Sequence, residues 1–544
     1  MNLDSIETLN NAEKNIFDVI IIGAGLSGMY QLHRVRELGM TVRVIEAGSD
    51  VGGTWYWNRY PGARFDSESY SYGYSFSKEL LQEWSWSEHF APQTETLRYV
   101  GFVADKFDLR KDILFNHKVS AAKWQEKTES WHVYLHTGEL LIAKFLITSI
   151  GILSVPTLPK IEGVNIFRGI SYHTANWPKT PVNFEGKRVA VIGTGSTGIQ
   201  VIQEVAKMAS QLTVFQRRAN WAIPLGNSKI SPEQQSKIKA SYEDIFKRCD
   251  ESALGFVHSA ILKSGLDVSQ EERESLWEKL YSEPGFGLWV GNYFDCTRNR
   301  EVNKLLSQFV AKKIRQRVND PQVAEKLIPK DHGFGTRRLP LETGYFEIYN
   351  QSNVELIDIK SDTVKCITES GIDTLTRQFE FDVIIYATGF DALTGSYDQI
   401  DIRGTDDISL RETWRKGVET FHGYQCVGFP NLLMVMGPMG ALGNITRSIE
   451  YNVDWVSKLL AYVQKMKYSR IEPRYESVQS WMDVVRESNI GLLSNEVDSW
   501  MTGVNSNVEG KTSRVLARYS GTMPDFRLRS DAVAEGGYQE LNFK

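Results

Sequence analysis

Two stretches of the chain share one hydrophobic pattern. Phe17-Asp-Val-Ile-Ile-Ile-Gly23 is an apolar, β-branched run that stops at glycine, and Lys187-Arg-Val-Ala-Val-Ile-Gly193 has the same form. Continuous apolar runs of strand length predict parallel strands buried on both faces, because a half-exposed strand would alternate. Each run is followed by a glycine-rich turn, a helix-compatible segment and a second strand, Thr41–Glu46 in the first copy and Leu212–Gln216 in the second. That order is the β-α-β opening of a dinucleotide-binding domain, present twice.

A third run, Phe381–Tyr386, leads into Ala387-Thr-Gly-Phe390, and a weaker relative, Lys144–Gly151, precedes the second copy. Both are expected where the chain crosses between two nucleotide domains. The predicted fold class is α/β, with two Rossmann-like dinucleotide-binding domains and a mainly helical insertion. The first domain comprises 1–150 and 387–544, and the second 151–230 and 331–386. Residues 231–330 form the insertion, since Ser231-Pro-Glu-Gln-Gln-Ser-Lys-Ile-Lys-Ala carries a serine cap, a proline at the first helical position and a helix-favouring body.

A chain of 544 residues exceeds what one core accommodates, in keeping with several domains. Its formal net charge of -5 offers no basic field for nucleic acid or for an acidic membrane surface. Phosphates must therefore be met by local arginines and helix ends. Cys249, Cys296, Cys366 and Cys426 are far apart, without a CxxC pair, which argues against a zinc knuckle or a dithiol redox centre. No cluster of residues has metal-ligand spacing. Met1–Ile16 lacks the apolar core of a signal peptide, and the apolar runs are strand-length, so a soluble, cytoplasmic protein is expected. Oligomeric state is left open, a monomer being compatible.

The two glycine turns carry different markers. In Gly23-Ala-Gly25-Leu26-Ser27-Gly28 and Gly193-Thr194-Gly195-Ser196-Thr197-Gly198, the first glycine makes the tight turn, the second admits a pyrophosphate and the third packs helix on strand. About twenty residues beyond each turn stands the ribose reader. In the first copy it is Glu46, whose carboxylate accepts from a 2'-hydroxyl and repels a 2'-phosphate, which suits FAD. In the second copy Arg217 and Arg218 stand there, and guanidinium forks match a phosphate dianion, which suits NADP(H). Two such sites in one chain imply electron transfer from NADPH to a flavin.

Two longer strings point to a reaction. Phe167-Arg-Gly169-Ile-Ser-Tyr-His173-Thr-Ala-Asn-Trp177-Pro178 matches FxGxxxHxxxWP, and Gly53-Thr-Trp55-Tyr-Trp-Asn-Arg-Tyr60-Pro61-Gly62-Ala-Arg-Phe-Asp66 matches GxWxxxxYPGxxxD. With these strings the chain, from about Ile16 to Lys511, resembles the flavin-dependent Baeyer–Villiger monooxygenases, and within them the cyclohexanone monooxygenase group. Gly437–Glu450 is similar to that group in length.

The resemblance implies an NADPH- and O2-dependent enzyme in which a C4a-peroxyflavin attacks a ketone, expected to be cyclic, to give an ester or lactone, with sulfide oxidation as a side activity. Arg338, in Phe334-Gly-Thr-Arg337-Arg338, is then the catalytic cation and Asp66 its carboxylate partner. Gly53, Thr54, Trp55, Asp66 and Tyr72 are implied in flavin binding. Arg337, often lysine in the family, and Arg218, often a small hydroxyl there, are implied at the NADP 2'-phosphate. Trp500, in Asp498-Ser-Trp-Met-Thr-Gly503, is implied to fold over NADP, His173 to couple domains, and Met439–Leu442 to line the substrate pocket. Three rivals remain at this point: a flavin enzyme oxygenating nitrogen or sulfur, which usually lacks an equivalent of Trp177-Pro178; an NADPH–disulfide reductase, which needs a vicinal cysteine pair; and a flavin-binding sensor that turns nothing over.

Overall fold

The computed structural model describes residues 15–544, so the expectation for the polar opening segment lies outside the described residues. Strand Ile16–Ile22 sits inside an eight-stranded sheet, flanked by Val42–Ile45 and Leu140–Thr148, both parallel to it. Its side chains divide between two covered faces. Val19 and Ile21 pack on a helical layer with Met29, Leu32, Val453 and Val456, while Ile20 and Ile22 pack with Trp131, Leu410 and Phe429. The helical layer is Leu26–Glu37 against the long helix Ile445–Met466, tied by Tyr30 donating to Asp454 (2.8 Å) and Gln31 to Ser457 (3.1 Å).

The second sheet has five strands, all parallel, in the order Val354–Asp358, Gln211–Gln216, Arg188–Ile192, Val383–Tyr386, Ile170–His173. One face meets helix Ser196–Val205 and the insertion, whose Trp277, Leu306 and Val310 share a core with Val189 and Ile202. The other meets a small antiparallel sheet of Val364–Ile367, Gly371–Thr374 and Gln378–Glu380. The insertion is built from helices such as Pro232–Ala240, Gln270–Ser282 and Arg300–Arg317. At the first of these, Ser231 and Gln234 cap each other reciprocally, a capping box that satisfies two otherwise orphaned backbone donors.

The chain leaves the first sheet after Thr148, enters the second at Ile170, leaves it after Tyr386 and returns at Asp401–Arg403, which pairs with Val119–Gln125. The two crossings run side by side, Thr157 N donating to Gly389 O at 3.0 Å. The strand read at Lys144–Gly151 begins earlier, at Leu140. Its first half alternates because it is the last strand of a meander, antiparallel to Ser130–Leu135, and its second half is buried beside Ile16–Ile22. An unbroken buried run is what sequence reading detects, and only the second half has one.

At both glycine turns the helix starts hard against the end of its strand. A Cβ on Gly28 would stand 1.8 Å from Gly23 O, and one on Gly198 would stand 2.2 Å from Gly193 O. Both helices begin at a glycine in nearly the same extended conformation (φ, ψ of -77°, -171° at Gly25 and -78°, -172° at Gly195), with no side-chain cap on either. Their first-turn N–H groups are thereby left to a ligand. Among the described residues, no helix is long and apolar enough to cross a membrane.

Candidate active site between two nucleotide turns

At the first turn, Glu46 ends the second strand as a buried carboxylate. One oxygen accepts from Ala24 N and the other from Gly48 N, both at 2.7 Å. Burial lifts its pKa above the ordinary carboxylate range, against those two amide donors. A second carboxylate-repelling anion is not welcome here, whereas a ribose hydroxyl can use the remaining lone pairs. Leu26 and Ser27 open the helix as buried residues. Gly52 N donates to Ala24 O at 3.0 Å, which sets Gly53-Thr54-Trp55 beside the turn. Thr54 is exposed, but Trp55 and Tyr72 point away from solvent and pair with each other, indole N–H to phenol oxygen at 2.8 Å, with Tyr72 stacked on Phe65 at 4.2 Å. They form an aromatic floor under the turn.

At the second turn, Gly195 is exposed with nothing within 4 Å of where its Cβ would be, and Ser196 and Thr197 are half-buried beside it. Thr194 donates its hydroxyl to Arg218 O at 2.9 Å, fastening the turn to the arginine pair. Arg217, Arg218 and Arg337 come together there. Burial, then the charge of Arg218, pulls the Arg217 and Arg337 guanidiniums below their usual pKa. Two carboxylates compensate in part: Asp331 and Asp498 each lie 3.5 Å from Arg218. Three crowded cations with looser acids around them fit a dianion, and the uncapped helix end fits a pyrophosphate.

A single segment joins the two turns. Beyond Trp55 the chain reaches Tyr60, whose hydroxyl donates to Gln200 on the second nucleotide helix at 2.7 Å, while Gln200 donates back to Arg64 O at 3.0 Å. It then delivers Asp66 to Arg338. Arg338 Nη1 donates to Asp66 Oδ2 and to Leu339 O (2.6 Å), and its guanidinium lies 5.4 Å over the Phe286 ring. Asp66 is buried, and its Oδ1 has no hydrogen-bond partner. Burial raises the Asp66 carboxyl above its ordinary range and Arg338 works against that rise. The guanidinium itself is one-third exposed (35%), so a cation held rigidly by a buried acid presents an open side between the two nucleotide turns. Such a group can stabilise negative charge that develops on a reacting oxygen.

His173 ends its strand beside the two crossings. Its Nδ1 accepts from Ala175 N at 3.1 Å, Nε2 sits 3.3 Å from Thr157 O, and the ring meets Phe390 edge-on. Burial lowers its pKa, against the hydrogen bond to Thr157. Trp500 is half-buried in a one-turn helix that Ser499 and Thr502 cap reciprocally and Gly503 ends. Met439 and Ala441 are buried in the first core, with Leu442 partly exposed against it. Sequence reading missed a second polar pair, held by the same segment that carries Asp66. Glu68 is two residues beyond Asp66 and accepts from His258 of the insertion (3.1 Å), near Gly285 and Phe286. No spacing could have found it, because the partner is recruited from a different domain.

Comparison with known proteins places this geometry. Residues 17–233 match the family model described as flavin-binding monooxygenase-like. The chain is 43% identical to 2-oxo-Delta(3)-4,5,5-trimethylcyclopentenylacetyl-CoA monooxygenase of Pseudomonas putida, covering 97% of this chain and 98% of that protein. It is 39% identical to cyclopentanone 1,2-monooxygenase of a Comamonas species, covering 97% and 96%. Its fold superimposes on a crystal structure of OTEMO in complex with FAD and NADP with a TM-score of 0.93 at 42% identity, covering 97% of this chain and 99% of that one. On the closed crystal structure of cyclohexanone monooxygenase the TM-score is 0.94 at 36% identity, with the same coverage.

Proposed function

Because the chain belongs to the Baeyer–Villiger monooxygenases, FAD-containing and NADPH-dependent enzymes that convert ketones to esters or lactones, we propose that Arg338 is its catalytic cation, that Asp66 orients it, and that its substrates are cyclic ketones. The substrate reading draws on the cyclic ketone in the names of both relatives.

FAD is assigned to the unit of 1–150 and 387–544, with Gly23, Gly25, Leu26, Ser27, Gly28 and Glu46 at the dinucleotide and Gly53, Thr54, Trp55 and Tyr72 around it. NADP(H) is assigned to 151–230 and 331–386. Gly193, Thr194, Gly195, Ser196, Thr197 and Gly198 take its pyrophosphate, Arg217, Arg218 and Arg337 its 2'-phosphate, and Trp500 closes over it. Residues 231–330 supply a wall through Phe286. When bound, the flavin supplies the centre that is reduced by NADPH, activates O2 and delivers one oxygen atom to the ketone. The chain's own part is positional and electrostatic. Asp66 holds the guanidinium and screens one side of its charge, and Arg338 offers the remaining N–H groups to oxygen as negative charge grows there. Enclosure by the strap around Trp500 excludes water, which would divert the oxygen into hydrogen peroxide. The unpaired state of all four cysteines supports a cytoplasmic, reducing setting.

The observation that carries this reading is the Asp66–Arg338 pair at the end of a segment that reaches the first nucleotide turn and the helix of the second. The test incubates the flavin-loaded protein with NADPH, O2 and a panel of cyclic and open-chain ketones. Products are read by mass for one added oxygen, with 18O2 as its source. Ester formation by Arg338→Ala at the parent rate would remove the assignment.

A further inference from the structure

One segment, Asp498 to Arg514, faces the arginine cluster from outside and supplies polar groups to two of its three members. Asp498 Oδ2 lies 3.5 Å from Arg218 Nη2, and Ser506 Oγ accepts from Arg217 Nη1 at 2.5 Å. The other oxygen of Asp498 accepts from Arg514 Nε at 2.7 Å. The segment does not depend on these contacts for its place. Lys511 binds Asp391 and also Thr394 (2.8 Å), and Asn505 donates to Phe390 O at 2.9 Å. Asp498 thus stands as a carboxylate before a guanidinium assigned to a phosphate, and two anions cannot share that cation without repelling each other.

We infer that Asp498 sets how strongly the second site discriminates a phosphorylated ribose from a bare one. Its carboxylate competes with the 2'-phosphate for Arg218, and Arg514 limits that competition by drawing Asp498 toward itself. The inference rests on the assignment of Arg217, Arg218 and Arg337 to the 2'-phosphate. It makes a prediction of opposite sign for two neighbouring residues. Asp498→Asn removes the competitor and tightens binding of the phosphorylated ligand, whereas Arg514→Gln leaves the acid free to pair fully with Arg218 and weakens it. Asp331, also 3.5 Å from Arg218, remains in both variants and keeps the cluster partly compensated.

The test titrates the oxidised, flavin-loaded protein with 2',5'-ADP and separately with 5'-AMP by calorimetry, so that no turnover is needed. A half-exposed ion pair is worth up to about fivefold in affinity, and about threefold tighter binding of 2',5'-ADP by Asp498→Asn is expected, with 5'-AMP unchanged. Arg514→Gln moves 2',5'-ADP the other way, and both shifts fade in concentrated salt. Equal shifts for both ligands, or no shift in Asp498→Asn, overturns the inference while leaving the phosphate site standing. If instead Arg218→Ala leaves the preference for 2',5'-ADP intact, the phosphate-site assignment falls and this inference with it.

Discussion

Arg338 donates to one carboxylate oxygen of Asp66, and the other oxygen of that carboxylate is buried without a partner. The arginine is the main support of that buried charge, ahead of the more distant Arg64 and the backbone at Leu341.

Removing either member of this pair should separate flavin reduction from oxygen transfer. Arg338→Ala is expected to lower the rate of ester formation by about 100- to 1000-fold, the cost of losing one preorganised donor at an oxyanion, and Asp66→Ala, which leaves the donor but frees its orientation, by less. Anaerobic flavin reduction by NADPH should proceed nearly as in the parent, with the oxygen appearing as hydrogen peroxide. Stopped-flow absorbance and peroxide assay read the two steps apart. Arg338→Ala should also be less stable by about 1–3 kcal/mol, because it leaves Asp66 buried and unpaired.

The three arginines should matter to one cofactor only. Charge-assisted bonds to a phosphate are worth about 1.5–3 kcal/mol each, so Arg217→Ala, Arg218→Ala and Arg337→Ala are each expected to raise the NADPH KM about 10- to 100-fold. The NADH KM should barely move. Steady-state kinetics with both cofactors checks this, and parallel losses for NADH would point to misfolding.

Paired glycine substitutions should knock out the nucleotide sites one at a time. A methyl group at Gly28 collides with Gly23 O (1.8 Å) and at Gly198 with Gly193 O (2.2 Å), both backbone atoms that cannot step aside cheaply. Gly28→Ala is expected to be isolated without flavin. Gly198→Ala should remain yellow yet fail to be reduced by NADPH, while dithionite still reduces it. Flavin content and the two reductions are read by absorbance.

His422 gives the fold an acid limit. It is buried, stacked on Trp481 at 3.9 Å with Nδ1 2.9 Å from Ser530 Oγ, and burial pulls its pKa down to about 3. The folded state thus refuses a proton that the unfolded chain takes at its ordinary pKa near 6.5. Stability is complete above that value and is lost as pH falls from about 6.5 toward 3, by about 2 kcal/mol at pH 5. His422→Asn tolerates the same left-handed backbone (φ 51°) and removes the titration. Its thermal midpoint should fall less between pH 7 and pH 5 than that of the parent.

Much of the architecture could be read before any coordinates. The strands at Ile16–Ile22 and Arg188–Ile192 were visible because a strand covered on both faces must be apolar throughout. The meander of Val119–Gln125 and Ser130–Leu135 was not, because strands half open to solvent carry mixed residues such as Ser120, Lys123 and His132 that leave little contrast. The same distinction runs through the site. Glu46 and the Arg217–Arg218 pair, proposed here as ribose readers, could be singled out since a nucleotide fold places that reader at a fixed distance from its glycine turn. Glu68 with His258, and Asp498 with Arg218, were not, since each pair joins residues from separate elements.

What the amino-acid order determined alone was local: which runs are strands, where turns need glycine, and which sign of charge ends each second strand, all consequences of short-range sterics and of burial on two faces. What only the folded chain decided was which distant groups meet. The indole of Trp55 taken up by Tyr72, Glu68 met by His258, and the acid set against Arg218 all depend on how two sheets and an insertion dock, and the Asp66–Arg338 pair was foreseen from family resemblance and not from any local rule. Docking is settled by the packing of whole surfaces, and no short window of sequence contains that information.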